Sequence, residues 1–357
     1  MREKSIQILK NLQYPNGLFA ASSKNVSTGY NKSWIRDNIY EALGMENVDM
    51  KDAIKTYHTL LDIFLKHEYK IDWAMMDKPQ HKHQYIHARF CPETLNEFWE
   101  DWGNKQNDAI GAFLFKVGEL TNNGHQILRN RHDFRIIQKL IYYLESIKYW
   151  KDEDNGMWEE NEEVHASSVG ACLAGLKTLK GLKFKMPLIN NDFINDLVKT
   201  KNGMMEMELK IPKGLIQKGQ NTLNTLLPRE SITKETDLAL LSLIYPYNVV
   251  SEKQRKQILE NIERKLVRYN GVIRYKDDKY YGTEFGEPEW TMGFPWLAII
   301  YRHLGDMSKY HFYMYKTTNT MNKQGELPEL YFARTDEYNE NTPLGWSQAL
   351  YLVASSN

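Results

Sequence analysis

Two acidic stretches of this 357-residue chain carry side chains able to move protons. In "DEDNGMWEENEE" the apolar Met157 and Trp158 precede Glu159 and Glu160. A carboxyl desolvated by such neighbours has its pKa raised toward neutrality, which suits a general acid. About 170 residues later, "GELPELY" offers Glu326 and Glu329 between two helical patterns, where a second carboxylate could face the first across a cleft. One acid to protonate a leaving oxygen, and one carboxylate to activate water or to attack, is what glycoside hydrolysis requires. The competing reading for each of these residues is a solvated surface acid.

The composition favours the first reading. Aromatic residues are 12% of the chain, and seven of the nine tryptophans (Trp34, Trp73, Trp99, Trp102, Trp150, Trp158 and Trp290) lie within three residues of an Asp or Glu. Flat rings cover the C–H face of a pyranose while carboxylates and guanidinium groups bind its hydroxyls. Lys and Arg (46) balance Asp and Glu (46), so the electrostatic footprint of a nucleic-acid or anionic-membrane binder is missing and a neutral ligand is expected. Cys91 and Cys172 are too few for a disulfide scaffold and read as small core residues in a reducing compartment. The N-terminus has no continuous apolar run, so neither a signal peptide nor a membrane span is expected, and a cytoplasmic location follows. Glycine-rich nucleotide loops, HExxH and EF-hand patterns do not occur. His81, His83 and His87 with Cys91 would form a metal site only if their segment were helical; imidazoles lining a polar loop are the preferred reading, and no metal or organic cofactor is expected.

About a dozen helical patterns must position these groups. Ile137, Leu140, Ile141 and Leu144 fall at helical spacing, as do Val169, Cys172, Leu173 and Leu176. Further helices are expected near 2–13, 36–47, 52–68, 106–121, 213–227, 234–244, 251–268, 291–304, 308–320 and 343–354. "NDAIGAFLFKVGEL" and "TDLALLSLIY" are apolar almost all round, whereas 131–149 and 251–268 carry a single apolar stripe. Alternation of buried and half-exposed helices predicts antiparallel pairs in two layers. Strand signals are few; "GVIRYKDDKYYG" reads as a hairpin-like loop. With no linker or low-complexity tract, residues 1–357 are expected to form one domain.

Six segments resemble glycoside hydrolase family 15, the glucoamylase family, and the glucoamylase-like region of the phosphorylase kinase alpha subunit. "YNKSWIRDNIYEALG" is similar to the tryptophan-x-arginine-aspartate motif, and "EDWGNKQNDAIGAFLF" to the W-G-x-x-Q-x-D segment. "GMWEENEEVHASSVGA" resembles the W-E-E segment, "GVIRYKDDKYYG" the G-x-x-R-Y loop, and "MGFPW" the proline-tryptophan turn. "ELPELY…PLGWSQAL" is similar to the base-carrying loop and its following helix. The matches run in family order from about residue 17 to residue 352.

The resemblance implies an all-α (α/α)6 barrel, with six inner and six outer helices and a pocket at one end. It implies exo-acting, inverting hydrolysis at the non-reducing end of a short α-linked glucose oligosaccharide. Arg36 and Asp37 would hold the terminal sugar, Glu159 would be the general acid and Glu160 a sugar-binding carboxylate whose charge further raises Glu159. Glu329 would be the general base, with Glu326 the alternative, because the local pattern is L-P-E rather than S-E-Q. Trp102, Trp158, Arg274 and Trp346 would bind substrate, Trp296 would stand in the pocket wall, and Gln106 and Asp108 would be neighbours one layer behind the groups that touch the sugar. The starch-binding module of many microbial members has no counterpart here, so maltose-, isomaltose- or trehalose-type substrates are expected. The alternative implied by the phosphorylase kinase resemblance is a non-catalytic carbohydrate-binding or regulatory module.

Overall fold

Residues 1–100, 102–187 and 204–356 are described by the structure, a computed structural model. In chain order the first helices are α1 (Arg2–Leu12), α2 (Ile35–Glu46), α3 (Met50–Lys66), α4 (Glu68–Met76), α5 (Asn107–Asn122) and α6 (Arg131–Ile147). They are followed by α7 (Ala166–Leu179), α8 (Leu215–Leu226), a 3-10 helix (Leu238–Leu243), α9 (Glu252–Lys265), α10 (Gly293–His303), α11 (Met307–Asn319) and α12 (Gly345–Ala354). Three antiparallel strand pairs join 33–34 to 89–90, 183–187 to 204–208 and 289–290 to 330–331.

The inner layer is a closed ring. α2 packs on α5, α5 on α7, α7 on the 3-10 helix, that helix on α10, and α10 on α12, which returns to α2. Around it α1 covers α12, α3 covers α2, α8 covers α7, α9 covers the 3-10 helix and α11 covers α10, while α6 lies on α3 and α4. This is an (α/α)6 barrel with α4 added outside the alternation.

Sequence character decides which layer a helix joins. α5 is apolar almost all round and buries Ala109 to Gly118 without a break, whereas α9 buries only Ile258, Leu259 and Ile262 beneath a charged outer face. Small residues let the inner helices touch backbone to backbone. A Cβ at Gly111 would fall 2.3 Å from the Cys172 nitrogen, and one at Gly175 would fall 2.8 Å from the Leu114 Cβ, so α5 and α7 need both glycines.

Three expectations change. The helix expected at 234–244 is the 3-10 helix Leu238–Leu243: Asp237 caps it through the Ala239 N–H, and Pro246 has no N–H with which to extend it. The helix expected at 52–68 is α3, ending at Lys66, but α4 follows after His67 as a helix that the sequence reading did not include. The segment 271–282 does not fold back on itself as a hairpin; Val272 bridges the nearby Val267 and the more distant Trp290, and Tyr275 bridges Asp237. Among the described residues no helix is long and apolar enough to cross a membrane.

Candidate active site

Outer helices α3, α6, α9 and α11 are capped by their own Asp49, Asn130, Ser251 and Asp306, but no inner α-helix has a side-chain cap at its N-cap residue. The unpaired N–H groups of a helix start must find partners elsewhere. Here distant loops supply them. Ile35 N donates to the Ala88 carbonyl (2.9 Å), Asn107 N to Asp154 Oδ2 (2.7 Å), Ala166 N to the Glu230 carbonyl (2.7 Å) and Gly345 N to the Ala21 carbonyl (2.8 Å). These bonds tie the loops at the N-terminal end of the inner ring into one rigid rim.

The rim encloses a cavity of 290 Å³. Arg36, Asp37, Trp102, Trp158, Glu159, Glu160, Arg274, Glu329 and Trp346 all line it. Its size falls near the lower end of small-ligand sites, on the order of 300 Å³, as a pocket for one or two sugar rings would. Tyr40 stacks behind Trp346 at 4.4 Å between centroids, which fixes that indole as a wall.

Arg36, at the start of α2, is held from behind and presents one edge forward. Nη1 donates to Gln106 Oε1 (2.8 Å) and Asp108 Oδ2 (3.2 Å), and Nη2 donates to Glu159 Oε1 (3.2 Å). Asp37 Oδ2 is 4.0 Å from the same guanidinium. Burial raises Asp37 to about 6 against the pull of Arg36.

Glu159 and Glu160 are adjacent but electrically opposite. Burial pushes Glu159 up to about 7, with Arg36 opposing and Asp37 adding a like charge. The side chain keeps 23% of its surface accessible. Burial also acts against ionised Glu160, but Arg274 (2.9 Å), Lys234 (2.6 Å) and the Tyr275 hydroxyl (2.7 Å) outweigh it, and its pKa lies below the usual range. The expectation that Glu160 raises Glu159 is therefore corrected: the neighbouring anion acting on Glu159 is Asp37, because Glu160 is neutralised by its own cations.

A left-handed backbone turns the two glutamates apart. Glu159 has φ +66°, a strained state for a residue with a side chain, costing on the order of 1–3 kcal/mol. Asn155 holds the turn: its carbonyl accepts from Glu160 N (3.0 Å) and its amide donates to the Glu160 carbonyl (2.6 Å). Gly103 is needed beneath it, since a Cβ there would lie 2.5 Å from the Glu159 carbonyl oxygen.

Glu329 stands in the same cavity, fully buried. Tyr30 donates to Oε1 (2.7 Å); Asn341 (2.8 Å) and Asn339 donate to Oε2. Burial raises its pKa although these donors oppose it. Tyr30 lies near both carboxyls, since Glu329 and Glu159 each disfavour its ionisation. Glu326 is turned to Asn322 (2.8 Å) and does not line the cavity. Trp296 is a second correction: it is fully buried, donates to the Tyr245 carbonyl (2.8 Å) and packs behind Trp346 as core.

Sequence reasoning missed Tyr30, Tyr280, Trp290 and Lys234. Tyr30 opens the quoted "YNKSWIRDNIYEALG", Tyr280 lies in "GVIRYKDDKYYG", and Trp290 is one of the acid-neighbouring tryptophans, so their signal was present. Lys234 carried none. Arg274, gripped by Asp278 (2.6 and 2.7 Å), sits 4.8 Å from the Trp290 ring and 5.1 Å from the Tyr280 ring. As for metals, His81 and His83 are exposed, His87 is buried, and among the described residues no group of three or more His, Cys, Asp or Glu is arranged to hold an ion.

Known proteins with the same build bear on this site. The chain is 26% identical to the regulatory subunit alpha of phosphorylase b kinase, skeletal muscle isoform, of Oryctolagus cuniculus, over 90% of this chain and 30% of that protein. It spans less than a third of the length of the curated relatives it matches. Among solved structures, a glycosidase variant in complex with glucose superposes with a TM-score of 0.79 at 17% identity, covering 99% of this chain and 95% of that one. The Hormoconis resinae glucoamylase superposes with a TM-score of 0.67 at 13% identity, covering 99% and 72%. Residues 3–310 match glycosyl hydrolases family 15, a stretch that holds Arg36, Glu159 and Arg274 and ends before Glu329. With its ring of paired helices and a carboxylate-lined cavity at one end, the chain belongs to glycosyl hydrolases family 15.

Proposed function

We propose that the protein hydrolyses short α-linked gluco-oligosaccharides from the non-reducing end with inversion, its whole chain acting as one catalytic domain. The observation that carries this reading is the pair of carboxyls in one cavity, Glu159 held near neutrality and Glu329 caged by three donors. Glu159 protonates the glycosidic oxygen; Glu329 takes a proton from the attacking water; Asp37 and Arg36 grip the hydroxyls of the terminal glucose. Trp346, Trp158 and Trp102 cover its apolar faces, and Glu160, kept ionised, accepts from a sugar hydroxyl. These steps call on side chains alone, and a cytoplasmic location suits the two free cysteines.

The second reading is a sugar-binding regulatory module, favoured by the likeness to phosphorylase kinase regulatory subunits over most of this chain. One experiment separates the two: product analysis on α-1,4-, α-1,6- and α,α-1,1-linked glucose disaccharides with wild type, Glu159→Gln and Glu329→Gln. Release of β-glucose by wild type, cut about 10²–10⁴-fold in each variant, supports hydrolysis. Sugar binding without turnover by wild type supports the module, and equal turnover by all three proteins overturns the assignment of the two carboxyls.

A further inference from the structure

Two side chains approach the Trp158-Glu159-Glu160 turn from behind, and both come from the segment that leads into the 3-10 helix. Asp237 Oδ1 accepts from the Trp158 indole N–H (2.8 Å) and from Ala239 N (2.8 Å). Lys234 Nζ donates to Glu160 Oε2 (2.6 Å) and lies 3.9 Å from Asp237 Oδ2. The residues flanking Glu159 are thus each gripped by one member of a lysine–aspartate pair, while Glu159 between them is bonded to Arg36. Neither Lys234 nor Asp237 lines the carboxylate-bearing cavity, so neither meets a ligand held there.

Capping alone does not account for this pair. One oxygen of Asp237 serves the Ala239 cap; the other has no hydrogen-bond partner among the described residues, although Asp237 is fully buried. The Lys234 side chain keeps 11% of its surface accessible and lies over the Tyr275 ring, with Nζ 3.9 Å from the centroid. Burying two ionisable groups costs stability, and what the pair secures in return is the arrangement of Trp158 and Glu160. A carboxylate offers about four acceptor sites. At Glu160, Arg274 and the Tyr275 hydroxyl fill sites on Oε1 and Lys234 fills one on Oε2, which leaves a single direction open to a sugar hydroxyl.

We propose that Lys234 and Asp237 are positioning residues, a two-pronged clamp in which Asp237 fixes Trp158 ahead of the acid and Lys234 fixes the acceptor direction that Glu160 offers to the sugar. The inference rests on the hydrolytic reading above and adds to it two residues that touch no substrate. The prongs act on different steps. Glu160 meets the sugar before and during reaction alike, so loosening it weakens binding. Trp158 immediately precedes Glu159, so loosening it displaces the proton donor, and the loss falls on the step in which the proton moves.

The test measures kcat, KM and pH profiles on the disaccharide that wild type cleaves fastest. Lys234→Met, which keeps the stem over Tyr275, is expected to raise KM about tenfold with kcat within about threefold, and Lys234→Arg to restore most of the loss. Asp237→Ala is expected to lower kcat about tenfold and to move the alkaline limb, set by Glu159, to lower pH, because a loosened turn admits water to that carboxyl. Asp237→Asn, which keeps an acceptor oxygen, recovers most of both. If Asp237→Ala does not fold, Trp158→Phe takes its place, since it removes the indole N–H and leaves the Ala239 cap. An unchanged KM in Lys234→Met, or a fall in kcat with the alkaline limb unmoved, overturns the clamp; the second is what a merely structural role produces. If wild type turns over nothing, hydrolysis fails by itself, and calorimetric dissociation constants for glucose and the disaccharides carry the test. Weaker binding by Lys234→Met, restored in Lys234→Arg, then supports the Lys234 prong; equal affinities, or no binding by wild type, overturn it.

Discussion

Arg36 Nη2 lies 3.2 Å from Glu159 Oε1, and even this cation does not bring the carboxyl back to its ordinary range: burial leaves it at about 7. The proposed acid is thus half protonated near neutrality. Activity is expected to fall as pH rises through about 7, when Glu159 loses its proton, and to fall again on the acid side as Glu329, itself raised, gains one. A pH profile of kcat/KM reads both limbs. A rate that keeps climbing well above pH 7 would exclude Glu159 as the acid.

Tyr30 supplies one of the three donors to Glu329, at 2.7 Å from Oε1. Removing it takes away a bond made to the ionised form, so Tyr30→Phe should raise the Glu329 pKa and move the acid limb to higher pH, with a lower kcat. The alkaline limb, set by Glu159, should move less. Equal movement of both limbs would point to a general loosening of the site.

Gly103 carries the strained turn at Glu159, since an added Cβ would stand 2.5 Å from the Glu159 carbonyl oxygen. Gly103→Ala is expected to displace that turn and cut kcat at least tenfold while costing about 1–3 kcal/mol of stability. Circular dichroism melts and initial rates on one preparation separate the effects. Normal kcat with a lowered melting temperature would mean that the turn relaxes without moving the carboxyl.

Stability should decline as pH rises from about 4 to 9. Asp37 (about 6), Asp154 (about 7), Asp237 (about 7) and Glu159 (about 7) all have raised pKa values, burial being the first cause of each. A carboxyl with a raised native pKa binds its proton more tightly folded than unfolded, so its contribution is lost between the unfolded and folded pKa values. His165, raised to about 9 by its Glu230 and Asp154 neighbours against burial, contributes in the same direction, present below its unfolded pKa and lost through about 9. Thermal melts across this range check the sign; a maximum at alkaline pH would contradict it.

Much of the barrel was written in local patterns. Inner and outer helices differ in how far round the helix apolar residues run, a local property in α5 against α9, whereas α2, with Arg36, Asp37, Asn38 and Glu41 buried, owes its burial to its neighbours. The acid-neighbouring tryptophans and the Trp158-Glu159-Glu160 run supplied part of the cavity lining, Trp34, Trp102, Trp158, Trp290, Glu159 and Glu160, while Trp73, Trp99 and Trp150 lie elsewhere. What misled were judgements about who stands beside whom: Trp296 read as a wall residue but lies behind Trp346, and 234–244 read as an α-helix but yields to a 3-10 turn between Asp237 and Pro246.

By itself the sequence determined most of the helices, the buried or half-exposed character of the most strongly patterned ones and the residue types available for chemistry, because periodicity and side-chain volume act over a few residues. Only the tertiary structure decided their electrical states. Lys234 and Arg274, 74 and 114 residues from Glu160, close on it and keep it charged, while Glu159 turns at φ +66° into a cavity where burial exceeds the help of Arg36. Charge and desolvation act through space over a few ångströms, and the ring of helices sets which distant residues meet at that range.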